Sequence, residues 1–255
     1  MESSSDDTNT TFISYSLCGR FLVNGIYQLQ QAHSFGQEVR AQVKSQTLLA
    51  AEKVDKALTK IMESVDRFAS EVTATPDKTY VIELLEDEFA VNEDIYSLNV
   101  TFHPYKYQSD IRYYSPYYER LTGVECIYNL VDYDKPFREF SWYQRPLKEG
   151  PIWTEPYYEP QNNVLMTTYY VPFHQSKEDR RAGKAPLGVV LSDFSLDQLT
   201  ASLKELDLGL GGYGIIFTEN QSLIYHPVFS HVREMEHLDD LVKESEFKYF
   251  AKISG

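Results

Sequence analysis

Tyr133, Arg138, Trp142, Tyr143, Tyr158 and Asp193 are the residue types that would hold a small organic cation. An ammonium group is held best by a carboxylate together with aromatic faces, each well-placed ring contributing about 0.5–2 kcal/mol of cation–π attraction. A carboxylate on the same ligand calls for a guanidinium or backbone N–H donors, best as a bidentate pair. The stretch SWYQRPLKEGPIWTEPYYEP, Ser141 to Pro160, carries both tryptophans of the chain. Its prolines argue against a regular helix or a central strand. Asp193 ends the apolar run GVVLSD, where a strand would deliver its carboxylate to a sheet face. From residue types alone two readings stay open. One is an aromatic box around a ligand; the other is a packed aromatic corner, with Asp193 leading into a helix.

Other chemistries are poorly represented. Gly209-Leu-Gly-Gly-Tyr-Gly214 has the GxGxxG spacing, but a phosphate-binding loop follows a strand and opens a helix. Here a helical pattern precedes the glycines and a strand pattern follows, which predicts a turn. His226, His231 and His237 are spaced too irregularly for a zinc site. There is no GxSxG, and neither Cys18 nor Cys126 sits beside a base partner. The expectation is a protein without metal, cofactor or enzymatic activity. The sequons at Asn9, Asn99 and Asn220, and a Cys18–Cys126 disulfide, are left open by the sequence.

The elements that must position these residues can be read from periodicity. A chain of 255 residues with 42% hydrophobic content has material for a proper core. Its 20 Tyr and 14 Phe imply many amphipathic aromatic contacts. A net charge of −14 argues against a nucleic-acid partner. No apolar run is long enough to span a bilayer. Residues 1–27, opening MESSSDDTNTT, read as a polar lead-in.

In LAAEKVDKALTKIMESVDRFASEV, Val54, Leu58, Ile61, Val65, Phe68 and Val72 alternate steps of four and three, a helical stripe near the coiled-coil period. Extended back to Leu29 it predicts a helix of about 65 Å. That is too long for one compact unit, so it suits a spine along two stacked units, a dimer seam, or both. KTYVIELLEDEFAVNE reads as a shorter helix. IYSLNVTFHP, IRYYSPYY, NVLMTTYYVPF and LGVVLSDF read as strands, and HQSKEDRRAGKA as an exposed loop. Ser195-Leu-Asp-Gln198 looks like a capping box opening SLDQLTASLKELDL. GYGIIFTE and SLIYHP form a further strand pair. Helices and strands without regular βαβ units predict an α+β fold. The expected divisions are a lead-in at 1–27, a spine helix at 28–75, a ligand-binding module at 76–208, and an incomplete second module at 209–255.

The order of a long helix, WY, GPIWTEPYYE, GVVLSDFSLDQL and GYGIIFTENQSLIYHP resembles the double Cache family of extracytoplasmic sensor domains, over roughly Leu29 to Pro227. The resemblance implies two stacked PAS-like modules on one long helix, the membrane-distal module holding the ligand. It further implies flanking transmembrane helices and a cytoplasmic output domain, both absent from this chain, while the helical stripe itself leaves a homodimer along the N-terminal helix open. The amino-acid-binding branch carries Y-x4-R-x-W-Y, then a Tyr, then an Asp. Tyr133, Arg138, Trp142, Tyr143, Tyr158 and Asp193 match those positions, though three residues rather than one separate Arg138 from Trp142. The implied ligand is a small amine such as an amino acid. Arg138 and Trp142 would hold its carboxylate, Tyr158 and Asp193 its ammonium.

Overall fold

The computed structural model describes residues 6–7, 10–17, 21–28, 37–75, 77–93, 95–120, 141–160, 163–203, 213–226, 232 and 234. Its fold is α+β, with one long N-terminal helix and two antiparallel-paired sheets. Helix α1 spans Gln37–Ala74, 38 residues, or about 57 Å at 1.5 Å per residue. Residues 29–36, over which the sequence extends the helix, lie outside the described residues. The predicted stripe is buried throughout: Val54, Leu58, Ile61, Val65, Phe68 and Val72 are 0–2% exposed within the single chain. It is core of the single chain. At the end of α1 the Lys78 ammonium donates to the carbonyls of Val72 and Thr75, each at 2.5 Å, placing a cation on the negative helix terminus. A 3₁₀ turn at Lys78–Tyr80 leads into α2, Val81–Val91. The two helices are tied by buried Glu88 of α2, which accepts from Ser64 and from Arg67 Nε at 3.1 Å.

The chain divides into two compact units, one of residues 1–59, 155–166 and 195–255, the other of residues 60–154 and 167–194. The first holds a five-stranded sheet in the order β1-β2-β3-β10-β11. Its strands are β1 Asp6–Asp7, β2 Thr10–Leu17, β3 Phe21–Gln28, β10 Tyr213–Thr218 and β11 Leu223–Tyr225. This corrects the polar lead-in expected over residues 1–27. β3 pairs antiparallel with β10 from Phe21↔Thr218 to Ile26↔Tyr213, so strands from the start of the chain join the two near its end. The sheet that seemed short of residues after Gly209 draws its three other strands from residues 6–28.

The second sheet runs β5-β4-β9-β8-β6. It comprises β4 Ser97–Phe102, β5 Tyr117–Glu119, β6 Ile152–Trp153, β8 Val164–Phe173 and β9 Gly188–Ser195, while β7 Tyr157–Glu159 pairs with the start of β8. Helix α3 spans Ser141–Glu149 and contains Pro146, against the expectation that proline excludes a helix there. Proline removes one i→i−4 bond. Burial of Tyr143 and Pro146 one turn apart holds the segment helical regardless. The predicted loop HQSKEDRRAGKA holds a short helix α4, Lys177–Arg181, and α5 spans Leu196–Leu203 directly after Ser195.

On β4 the residues Leu98, Val100 and Phe102 face the helices: Tyr118, which pairs with Leu98, donates to Glu86 of α2 and packs its ring 5.8 Å from Phe89. Ser97, Asn99 and Thr101 point to the opposite face and are buried as well. Both faces of this strand are therefore covered, one apolar and one polar. Gly188 pairs with Phe102 across β9 and β4. A Cβ there would collide with the Thr101 carbonyl oxygen and come within 2.8 Å of the Phe173 ring. Gly188→Ala should lower stability by about 1–3 kcal/mol in urea unfolding, the usual cost of overpacking; an unchanged midpoint would refute this packing.

His174, just beyond β8, receives its own constraint. Its backbone N–H donates to Thr73 Oγ1 of α1 at 3.1 Å. Burial, and secondarily the Arg180 charge, hold its pKa below the ordinary value of 6.5. The unfolded chain then binds the proton more tightly, so stability is present above about 6.5 and is lost as pH falls through the folded value. Wild type should lose more stability between neutral pH and pH 5 than His174→Gln. Equal slopes in paired thermal melts would contradict the assignment.

Candidate functional site

Three adjacent strands of the second unit place Glu119, Ser97 and Asp193 in one row, since Ser97 pairs with Glu119 of β5 and with Asp193 of β9. Paired residues project to the same face. The Asp193 carboxylate is 6% exposed. It accepts from Ser97 Oγ on one oxygen and from Thr168 Oγ1 of β8 at 2.6 Å on the other. Burying a carboxylate is costly without such donors, and here the sheet supplies them from both neighbouring strands. Glu119, also buried, accepts from the Tyr96 hydroxyl at 2.6 Å.

Strand β5 is held in place by Arg120. Its guanidinium donates to the carbonyls of Ile95, Asn92 and Phe89, at 2.9, 2.8 and 3.2 Å, and lies over the Phe89 ring. The cation thus satisfies carbonyls around the end of α2 and fixes the strand that follows. On the same polar face, Asn99 Nδ2 donates to Ser115 Oγ and the Pro116 carbonyl, while Thr101 Oγ1 donates to Asn99 Oδ1 at 2.7 Å. The Asn99 sequon is buried and committed to this network, which excludes it as a glycan acceptor in the folded protein.

The aromatic part lies further along β9. Tyr143 is fully buried against Ile152, Tyr170 and Val189, with Trp142, Tyr113, Leu147 and Leu191 packed around them. Val189, Leu191 and Asp193 share one face of β9 by alternation, so this cluster adjoins the Asp193 row. Tyr143 donates or accepts at His103 Nδ1, 2.7 Å away, and its ring meets that of Trp142 edge to face. Trp142 is only half-buried. Trp153 points the other way, against Tyr169, whose hydroxyl donates to Asp66 of α1.

Of the residues singled out in the sequence, Trp142, Tyr143 and Asp193 lie in the second unit on one sheet face. Tyr143 is a core residue rather than an open pocket wall. Tyr158 belongs to the first unit, and its hydroxyl donates to Asn163 Oδ1 at 2.5 Å. Tyr133 and Arg138 lie outside the described residues. Sequence reasoning missed Ser97, Thr168, Tyr96 and Glu119. The available signal was the polar alternation Ser97, Asn99, Thr101 in a strand that the structure buries on both faces.

Residues 81–201 match the sequence model of the family described as methyl-accepting chemotaxis protein-like, first PDC sensor domain. Over 98 residues the chain is 33% identical to the methyl-accepting chemotaxis protein PctB of Pseudomonas aeruginosa, covering 38% of this chain and 14% of PctB. Over 81 residues it is 32% identical to the voltage-dependent calcium channel subunit alpha-2/delta-3 of Rattus norvegicus, covering 30% of this chain and 8% of that subunit. The chain thus spans a small part of the curated relatives it matches. Its fold is similar to the ligand-binding domain of the Pseudomonas aeruginosa amino-acid chemoreceptor PctC in complex with GABA, with a TM-score of 0.60, 20% identity and 80% of each chain covered. Over residues 81–201, a little under half of the chain, the sequence is thus similar to PDC sensor domains.

Proposed function

We propose that the chain is the extracytoplasmic ligand-binding part of a transmembrane signalling receptor, and that its second unit is the membrane-distal module that binds a small amine such as an amino acid. The observation that carries this reading is Asp193, a carboxylate withdrawn from bulk water at a strand end yet kept by two hydroxyl donors on a polar sheet face. An ammonium brought to such a carboxylate forms charge-assisted hydrogen bonds, stronger than neutral ones. The half-buried indole of Trp142 offers an aromatic face nearby for cation–π contact. Arg138 is proposed as the partner of a ligand carboxylate. The likeness to PctC, an amino-acid chemoreceptor domain solved with GABA, supports the same ligand class.

No bond is made or broken in this function. A ligand that binds one arrangement of the module better than another shifts the population between them. Helix α1 contributes residues to both units, so it is the element through which such a shift would pass towards a cytoplasmic output domain.

Thermal-shift titration with the twenty L-amino acids, GABA and putrescine tests the reading. A true ligand at about a hundred times its dissociation constant should add about 2.7 kcal/mol of stability; no stabilisation by any of them would contradict it. Asp193→Asn keeps the shape and removes the charge, and should weaken amine binding at least about a hundredfold, given the cost of losing a charge-assisted contact. Arg138→Ala should reduce binding of amino acids while sparing putrescine; equal losses for both would remove Arg138 from the carboxylate role.

A further inference from the structure

Asn9, Asn99 and Asn220 each open an N-x-S/T sequon. A sequon can carry an N-linked glycan in a folded protein only where its asparagine reaches the surface, because the sugar is bulky and hydrated. Asn9 lies outside the described residues. Asn99 is 1% exposed, and its amide nitrogen donates to Ser115 Oγ and to the Pro116 carbonyl. A glycan there would have to displace the polar row of β4. Asn220 differs in both respects.

Asn220 lies in the turn between β10 and β11, and both it and the preceding Glu219 are exposed. Thr218 closes the turn. Its N–H donates to the Ser222 carbonyl and its own carbonyl accepts from the Gln221 N–H, each at 2.9 Å. Its hydroxyl accepts from the Ser222 N–H at 3.2 Å. Gln221 takes the left-handed conformation, with φ of 67°, which lets the chain reverse immediately after Asn220.

The side chain is steadied without being enclosed. Asn220 Nδ2 donates to Glu155 Oε1 at 2.8 Å, and Thr218 Oγ1 donates to the other oxygen of the same carboxylate at 2.6 Å. Glu155 and the turn belong to the same unit. An asparagine amide carries two protons. The second proton of Asn220 has no partner among the described residues. Attachment of a sugar removes one proton and leaves the other, so the nitrogen can keep its bond to Glu155.

We propose that Asn220 is an N-glycosylation site, accepting an oligosaccharide from a lipid-linked diphosphate donor. The amide nitrogen bonds to the anomeric carbon of the first sugar as the bond from that carbon to the diphosphate oxygen breaks. The lipid diphosphate leaves, and the displaced amide proton passes to a base of the transferase. Ser222 supplies the hydroxyl that the sequon requires at its third position. The proposal rests on the extracytoplasmic location proposed above and not on the amine ligand.

The test is secretion of the full chain from cultured animal cells behind a signal peptide, followed by peptide-N-glycosidase, which converts a glycosylated asparagine to aspartate. Mass spectrometry of the peptides should then read aspartate at position 220 and asparagine at position 99. Asn220→Gln and Ser222→Ala should each lose the gel-mobility shift that this site contributes, while Ser222→Thr retains it. Because the turn is exposed, the variants should melt at the wild-type temperature after glycan removal, which separates a lost acceptor from a lost fold. Asparagine recovered unmodified at position 220 of the secreted wild type would overturn the proposal. Amine binding by Asn220→Gln should match wild type, so failure here and failure of the ligand reading are distinguished.

Discussion

A carboxylate cannot be taken out of water unless something else solvates it, and the second unit is organised around doing this for Asp193. Ser97 reaches it from β4 and Thr168 from β8, so three neighbouring strands must keep their register for one side chain to be held. A slip of a single residue would turn Asp193 to the apolar face. On that face it would meet the positions of Ser192 and Phe194, which pack towards the helices rather than the polar row. The pleat alternation of β4, polar on one side and apolar on the other, is the physical basis of the site.

The surrounding architecture protects that register. Arg120 clamps the end of α2 to β5, and Gly188 allows β9 to approach β4 where any side chain would obstruct it. Glu88 joins α2 to α1 through Arg67 and Ser64. The long helix is consequently both part of the core beneath the sheet and the element whose residues are shared between the two units. For a sensor domain this matters because the polar row and the apolar face of the long helix lie on opposite sides of the same sheet.

Much of this was legible in the sequence, where local periodicity carries the signal. The helical stripe from Val54 to Val72, the strands ending at Phe173 and Asp193, and the helix after Ser195 could each be read from a window of a dozen residues. The exceptions have non-local causes. The strand Phe21–Gln28 pairs with β10, nearly two hundred residues downstream, and carries Thr10–Leu17 on its other edge, a pairing that no local pattern reports. Helix α3 forms around Pro146 because tertiary burial of Tyr143 outweighs one missing backbone bond. At the site, Asp193 and Trp142 were visible as chemistry-bearing types in a suggestive order. Ser97 and Thr168 were not, since a serine or threonine in a strand gains meaning only from the neighbour across the ladder. Of the aromatic residues in that stretch, Tyr143 and Trp153 pack in the core, while Trp142 is half-buried.

The central claim, that Asp193 on its buried polar row receives the ammonium of a small ligand, is tested most directly by a crystal structure of the chain grown with an amine that stabilises it. The account predicts the ligand nitrogen within about 2.7–3.2 Å of an Asp193 carboxylate oxygen, the range of a hydrogen bond. A ligand bound elsewhere, with Asp193 still held by Ser97 and Thr168 and out of its reach, would contradict it.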